Sequence, residues 1–273
     1  MSQLRDAGRK SVRQAFAEVR GSGRIGLVPF IPAGYPNLQT TRLAISALDA
    51  AGATAIEVGF PFSDPVADGP TIQQAYTAAL AAKITVANIL ATIAAVSGTV
   101  RAPLVGMASY SIIYRQGSEK FFAAARAAGI SGLIIPDLPP PEARSVCRQI
   151  AAAGLEVCLL VAPTTAPARR KEICDLCTGF VYYLSVSGIT GQRADLPPDL
   201  ADNLRELRTL TDKPICVGFG ISRPEHVKSL RGLADGAIVG SAIVGRMNEY
   251  VGESPEKIAE VIGGYARELL AAG

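Results

Sequence analysis

Ala55-Ile-Glu-Val-Gly-Phe-Pro-Phe-Ser-Asp-Pro-Val-Ala-Asp-Gly-Pro70 begins as an apolar strand and ends in a loop rich in proline and glycine. Side chains alternate across a strand, so Ile56, Val58 and Phe60 share one face while Ala55, Glu57 and Gly59 share the other. A carboxylate inside such a run costs several kcal/mol unless it is neutralised or paired, and it carries a shifted pKa. An edge strand showing Glu57 to water is the plainer reading. The small residues beside the acid weigh against it, because they leave room for a ligand. Asp68 follows in the loop, 11 residues after Glu57.

Seven further apolar, β-branched runs resemble the first half of this stretch: 27–32, 103–108, 131–136, 156–161, 179–185, 214–219 and 235–240, with 54–60 as the second in order. Segments rich in Ala, Leu, Arg and Glu separate them. Such alternation requires parallel strands joined by helical crossovers, and eight strands favour a closed α/β barrel over an open, doubly wound sheet. The expectation is a single (β/α)8 TIM barrel over residues 1–273, with long loops after strands 2 and 6. An extra N-terminal helix is expected from the amphipathic spacing of Leu4, Ala7, Phe16 and Val19. Gly52, Gly129 and Gly154 precede strands as helix C-caps.

The composition limits the function. Of 273 residues, 49% are apolar and 19% charged, and the formal net charge is +3. That balance lacks the basic, aromatic-studded patch of a nucleic-acid binder, and Arg169-Arg170-Lys171 reads as a solvated helix start. No run of eighteen apolar residues offers a membrane span. The first twenty residues lack the apolar centre of a secretory signal, and five cysteines, an odd number, point to a reducing cytoplasm. Cys174-Asp-Leu-Cys177 has redox spacing but falls inside a helical pattern from about Pro167, and is read as structural.

Where strands run into helices the chain reads Pro32-Ala-Gly-Tyr-Pro36, Pro61-Phe-Ser-Asp-Pro65, Pro136-Asp-Leu-Pro139, Ser187-Gly-Ile-Thr-Gly191 and Gly218-Phe-Gly-Ile-Ser222. A barrel carries its active site at that end. Glycine pairs in the last third, Gly188 with Gly191, Gly218 with Gly220, and Gly236 with Gly240-Ser241, suit a phosphate held by backbone N–H groups and a helix N-terminus. A barrel with a phosphorylated substrate could be an aldolase, an isomerase or a lyase. A Schiff-base enzyme needs a lysine at this mouth, yet Lys213 stands at the start of strand 7. A metal enzyme would use several histidines, and His226 is the single one. Glu57, Asp68, Asp64, Asp137 and the hydroxyls of Tyr182 and Tyr183 remain, which leaves acid/base work by carboxylates.

Six phrases in order resemble the α subunit of tryptophan synthase: Val28-Pro-Phe-Ile-Pro-Ala-Gly-Tyr-Pro36, the stretch from Glu57 to Gln73, Pro136-Asp-Leu-Pro139, Ser185-Val-Ser-Gly-Ile-Thr-Gly191, Gly218-Phe-Gly-Ile-Ser222 and Gly240-Ser-Ala-Ile-Val244. The resemblance implies a carbon–carbon lyase of tryptophan biosynthesis that splits indole-3-glycerol phosphate into indole and glyceraldehyde 3-phosphate. It implies that Glu57 shuttles protons and that Asp68 accepts the indole N–H. Tyr182 would pack near Glu57, Phe30 would line the ring pocket, Thr190 would help close the loop after strand 6 onto Asp68, and Gly191, Gly220, Gly240 and Ser241 would receive the phosphate. It also implies a β-subunit partner in an α2β2 complex, reached by Pro61, Asp64 and Pro65, with pyridoxal phosphate in that subunit and no cofactor in this chain. The family's aromatic, Asn and Pro after strand 3 are replaced here by Ser109, Ser111 and Ile112, and Ala78 stands where an Arg is common. A stand-alone lyase releasing free indole, or an idle barrel acting as scaffold for a partner, are the alternatives.

Overall fold

A computed structural model of the protein describes residues 10–65, 68–185, 196–218 and 220–273. The eight apolar runs form strands β1 (Gly26–Pro32), β2 (Ile56–Gly59), β3 (Leu104–Met107), β4 (Ile130–Ile134), β5 (Glu156–Val161), β6 (Val181–Leu184), β7 (Ile215–Gly218) and β8 (Gly236–Val239). They pair in sequence order into a closed parallel barrel, with β8 returning to β1. The helices are α1 (Val12–Gly21), α2 (Leu38–Ala51), α3 (Pro70–Ala81), α4 (Val86–Ser97), α5 (Tyr110–Gln116) and α6 (Ser118–Ala128) in the first half. They continue as α7 (Pro140–Ala152), α8 (Pro167–Leu176), α9 (Leu200–Leu210), α10 (Pro224–Ser229), α11 (Ser241–Glu249) and α12 (Pro255–Ala271).

Period-2 alternation sorts the strands into two apolar layers. Val28, Ala55, Val105, Ile134 and Ile238 pack inside the barrel, while Ile56, Val58 and Phe60 pack outward against helices. The alternation inferred for β2 is therefore the one observed, with Glu57 facing inward beside Ala55. Gly52 and Gly129 cap α2 and α6 with φ of 97° and 99°, values that L side chains rarely adopt. The long passage from β2 to β3 resolves into two helices, α3 and α4. Residues 186–195 after β6, which include Gly188, Thr190 and Gly191, lie outside the described residues.

The N-terminal helix is shorter than expected, starting at Val12 behind a Ser11–Gln14 capping box; Leu4 and Ala7 lie outside the described residues. It plugs the barrel's N-terminal end. Phe16 enters the interior layer and meets the Phe180 ring edge-on, centroids 5.8 Å apart. Gly26 and Gly236 give it room, since a Cβ on either would come within 3.0 and 2.8 Å of that ring. Glu156 anchors the helix by accepting from the Val12 and Arg13 N–H groups at 2.5 and 3.1 Å, using donors that a first turn leaves unpaired.

Two expectations need correction. Arg170 is not solvated: it is 7% exposed, donates to the Thr165 and Pro163 carbonyls at 2.8 and 2.7 Å, and pairs with Glu206 on α9. Carbonyls at the end of the preceding loop needed donors, and the guanidinium supplies them. Tyr183 is not a proton carrier at the mouth, because it points outward into the layer between strands and helices. Cys174 and Cys177 are buried free thiols whose pKa values burial pushes up, that of Cys177 to about 12, consistent with a packing role.

Candidate active site

Glu57 sits midway along β2, opposite Phe30 on β1 and Val105 on β3. It is 0% exposed, and neither carboxylate oxygen has a hydrogen-bond partner. Burial, and secondarily the Asp68 carboxylate, push its pKa up to about 8. An acid in that state is protonated at neutral pH and able to give its proton away. A buried polar group without partners is rare enough in native proteins to need an explanation, and a substrate that supplies the partner is one.

Asp68 approaches from the loop between β2 and α3. Burial pushes its pKa up to about 6, so it is mainly ionised at neutral pH, in contrast to Glu57. Two carboxyls whose environments separate their proton affinities form an acid and an anion side by side. Its backbone is tied down by Gln73, whose amide donates to the Asp68 and Pro65 carbonyls at 2.6 and 3.3 Å.

Aromatic rings complete the cavity. Phe30 is buried beside Gly59 and Gly240, and Tyr182 projects from β6 over Gly218. Any side chain at Gly59 would collide with the Tyr76 hydroxyl and the Phe30 ring, and one at Gly218 with the Tyr182 phenol. The space left by Gly59 and Gly218 is taken by these rings, where the sequence pattern around Glu57 suggested room for a ligand. Tyr76 was missed by sequence reasoning: on α3 it falls in step with Ile72, Ala75 and Ala79 and reads as core.

Gly240 is the N-cap of α11 and Ser241 its first residue, so free N–H groups open toward the mouth. Gly220, at φ 80°, takes a conformation that favours glycine. Of the three loop residues expected at a partner interface, Asp64 is exposed, Pro65 half-buried and Pro61 buried. The segment that departs from the family pattern is tied to the neighbouring strand end: Ser109 Oγ and the Tyr110 N–H donate to Asp137 at 2.6 and 2.7 Å. Lys213 lies at the opposite end, donating to the Cys174 carbonyl at 2.5 Å, and His226 is buried on α10. Among the described residues, no group of three or more His, Cys, Asp or Glu could hold a metal ion, and no single helix is long and apolar enough to cross a membrane.

Residues 16–269 match the family model described as tryptophan synthase alpha chain. The tryptophan synthase alpha chain of Rippkaea orientalis is 42% identical over 260 residues, covering 95% of this chain and 96% of its own. That of Chloroflexus aurantiacus is 43% identical over 262 residues, covering 96% and 97%. A mutant tryptophan synthase alpha-subunit from Pyrococcus furiosus superposes with a TM-score of 0.83 at 36% identity, covering 90% of this chain and 98% of that one. A structure from Aquifex aeolicus superposes at 0.86 with 34% identity, covering 96% and 98%. With sequence and barrel matched along nearly their whole length, the chain belongs to the tryptophan synthase alpha chain family.

Proposed function

We propose that the chain is a carbon–carbon lyase that cleaves indole-3-glycerol phosphate to indole and glyceraldehyde 3-phosphate, as the alpha subunit of tryptophan synthase. The observation that carries this reading is Glu57, a protonated carboxyl sealed in an apolar cavity with no partner of its own, beside an ionised Asp68. An indole ring is a poor leaving group until C3 is protonated. Glu57 gives its proton to C3 and the ring becomes a cation. The resulting Glu57 carboxylate then takes the proton of the hydroxyl on the attached carbon, the C3–carbon bond breaks, and its electron pair restores the neutral indole while the hydroxyl carbon becomes the aldehyde. Asp68 accepts the indole N–H and stabilises the cationic ring as it forms.

In this reading Phe30 and Tyr182 flank the ring, Thr190 helps close the loop after β6, and Gly191, Gly220, Gly240 and Ser241 receive the phosphate. The free N–H groups at the start of α11 support the last assignment. The chemistry is complete without a cofactor in this chain. The partner is a β subunit carrying pyridoxal phosphate, in an α2β2 complex in the cytoplasm, with Asp64, Pro65 and Pro61 on the approach to it.

The test is indole release from indole-3-glycerol phosphate, measured with and without added β subunit. Strong stimulation is expected. High unstimulated release would mark a stand-alone lyase, and silence in both arms an idle scaffold.

A further inference from the structure

Ser222, two residues after Gly220 on the passage from β7 to α10, is held by side chains at both of its backbone groups. Its N–H donates to His226 Nδ1 at 3.3 Å, from the first turn of α10 itself. Its carbonyl lies outside the helix, because the first intrahelical acceptor is that of Arg223, the N-cap. Tyr265 reaches this carbonyl from α12 and donates its hydroxyl at 2.5 Å. The same phenol carries a second contact on its face. Arg246 of α11 lies over the ring, its guanidinium carbon 4.6 Å from the centroid.

Packing accounts for the ring and not for its oxygen. Tyr265 is 5% exposed and shares the buried side of α12 with Ile258, Ile262, Ala266 and Leu269. A phenylalanine would fill that place and keep Arg246 over its face, but the Ser222 carbonyl would lose its donor. Burial pushes the phenol's pKa up to about 12, so it stays protonated and serves that carbonyl near neutral pH. The two elements that meet on this residue are the two expected to share an anion. The loop carries Gly220, at φ 80°, and α11 opens with Gly240 and Ser241. Arg246 stands on that same helix, five residues after Ser241.

We propose that Tyr265 is a positioning residue for the substrate's phosphate, whose phenol fastens the β7–α10 loop to α11 and so fixes the spacing between Gly220 and Ser241. It acts through Ser222 on one side and Arg246 on the other, not by contact with the anion. Backbone N–H groups hold a phosphate best when they are set in place before it arrives, because the cost of ordering them has then already been met. The inference rests on the phosphate end of the lyase reading and is independent of how the carbon–carbon bond is cut.

Tyr265→Phe keeps the ring and its Arg246 contact and removes the oxygen. Glycerol 3-phosphate is titrated into the full chain while the backbone amide signals of Gly220 and Ser241 are followed by NMR, and indole is titrated separately to report on the ring pocket. Indole release with β subunit present is measured alongside. The Kd for glycerol 3-phosphate is expected to rise about fivefold in Tyr265→Phe, the size of one net hydrogen bond, and KM for indole-3-glycerol phosphate to rise with it. The Kd for indole, and kcat, should stay within about twofold of wild type. A glycerol 3-phosphate affinity that does not move, or one that falls together with the indole affinity, overturns the proposal even where the melting temperature drops. So does a wild-type titration that leaves the Gly220 and Ser241 signals unshifted. Selective loss of glycerol 3-phosphate affinity in a protein that never releases indole upholds the role of Tyr265 and sinks the lyase reading instead.

Discussion

The two ends of this barrel treat a buried carboxylate in opposite ways. At the floor, Asp235 is enclosed by donors: Arg20 at 2.6 Å, the Ile215 N–H at 2.7 Å, and Arg208. Burial pushes its pKa up, but the hydrogen bonds of Arg20 and Ile215 and the charge of Arg208 outweigh that and hold it below the usual carboxylate range. At the mouth, Glu57 has no donor and its pKa goes the other way. The same functional group is thus a rivet at one end and a loaded acid at the other, and the difference lies in the partners supplied. Stability is concentrated where every polar atom is answered, and chemistry where one is left open.

The contrast breaks most readily at the floor. Phe16→Ala removes the plug's largest buried side chain and should cost about 3–5 kcal/mol in chemical denaturation, with near-normal specific activity in the protein that stays folded. A mutant that lost activity but not stability would show that the floor and mouth are not separable. At the mouth, Glu57→Gln should lower kcat at least ~10²-fold, the smaller end of the range for a positioned acid/base.

The same substitution carries a pH signature. The folded pKa of Glu57 is raised to about 8, so the native state holds a proton that the unfolded chain releases near its ordinary value of 4.5, and stability falls as pH rises between the two. Glu57→Gln removes that slope. The variant's gain in melting temperature over wild type should grow from pH 5 to pH 8, and a constant difference would mean that Glu57 is not protonated in the fold. The smallest expected effect belongs to Asp235→Asn, at about 2 kcal/mol of lost stability with activity retained. That lies below the range for breaking a fully buried pair, since Arg20 and Arg208 keep 39% and 35% of their side-chain surface exposed.

Local patterns made the barrel legible. Eight apolar runs, the glycine caps at Gly52 and Gly129, and the inward side of β2 all follow from alternation and backbone conformation, which act over a few residues. Glu57 could be singled out because a charge in a β-branched run violates a local rule. What stayed hidden depended on residues distant in sequence. Nothing near Asp235 reveals that Arg20 will reach it from the other end of the chain, and nothing near Arg170 shows that Glu206 will meet it from α9. Tyr76 escaped for a different reason, since the helical period that buries it also camouflages its hydroxyl. The sites assigned to Thr190 and Gly191 fall outside the described residues and gain no support from the geometry.

The way the ring is fastened bears on how the protein is made. Gly26–Pro29 pair with Gly236–Val239, and in α12 Gly263 sits so close to Ala47 of α2 that an added Cβ would lie 3.3 Å from it. The earliest strand therefore has one edge unanswered until the eighth is made. Phe16 leaves the ribosome well before Phe180 and Gly236, which enclose it. During translation the nascent chain carries a greasy stopper with no bottle, and the cork and the seam can be set together only once β8 has been made.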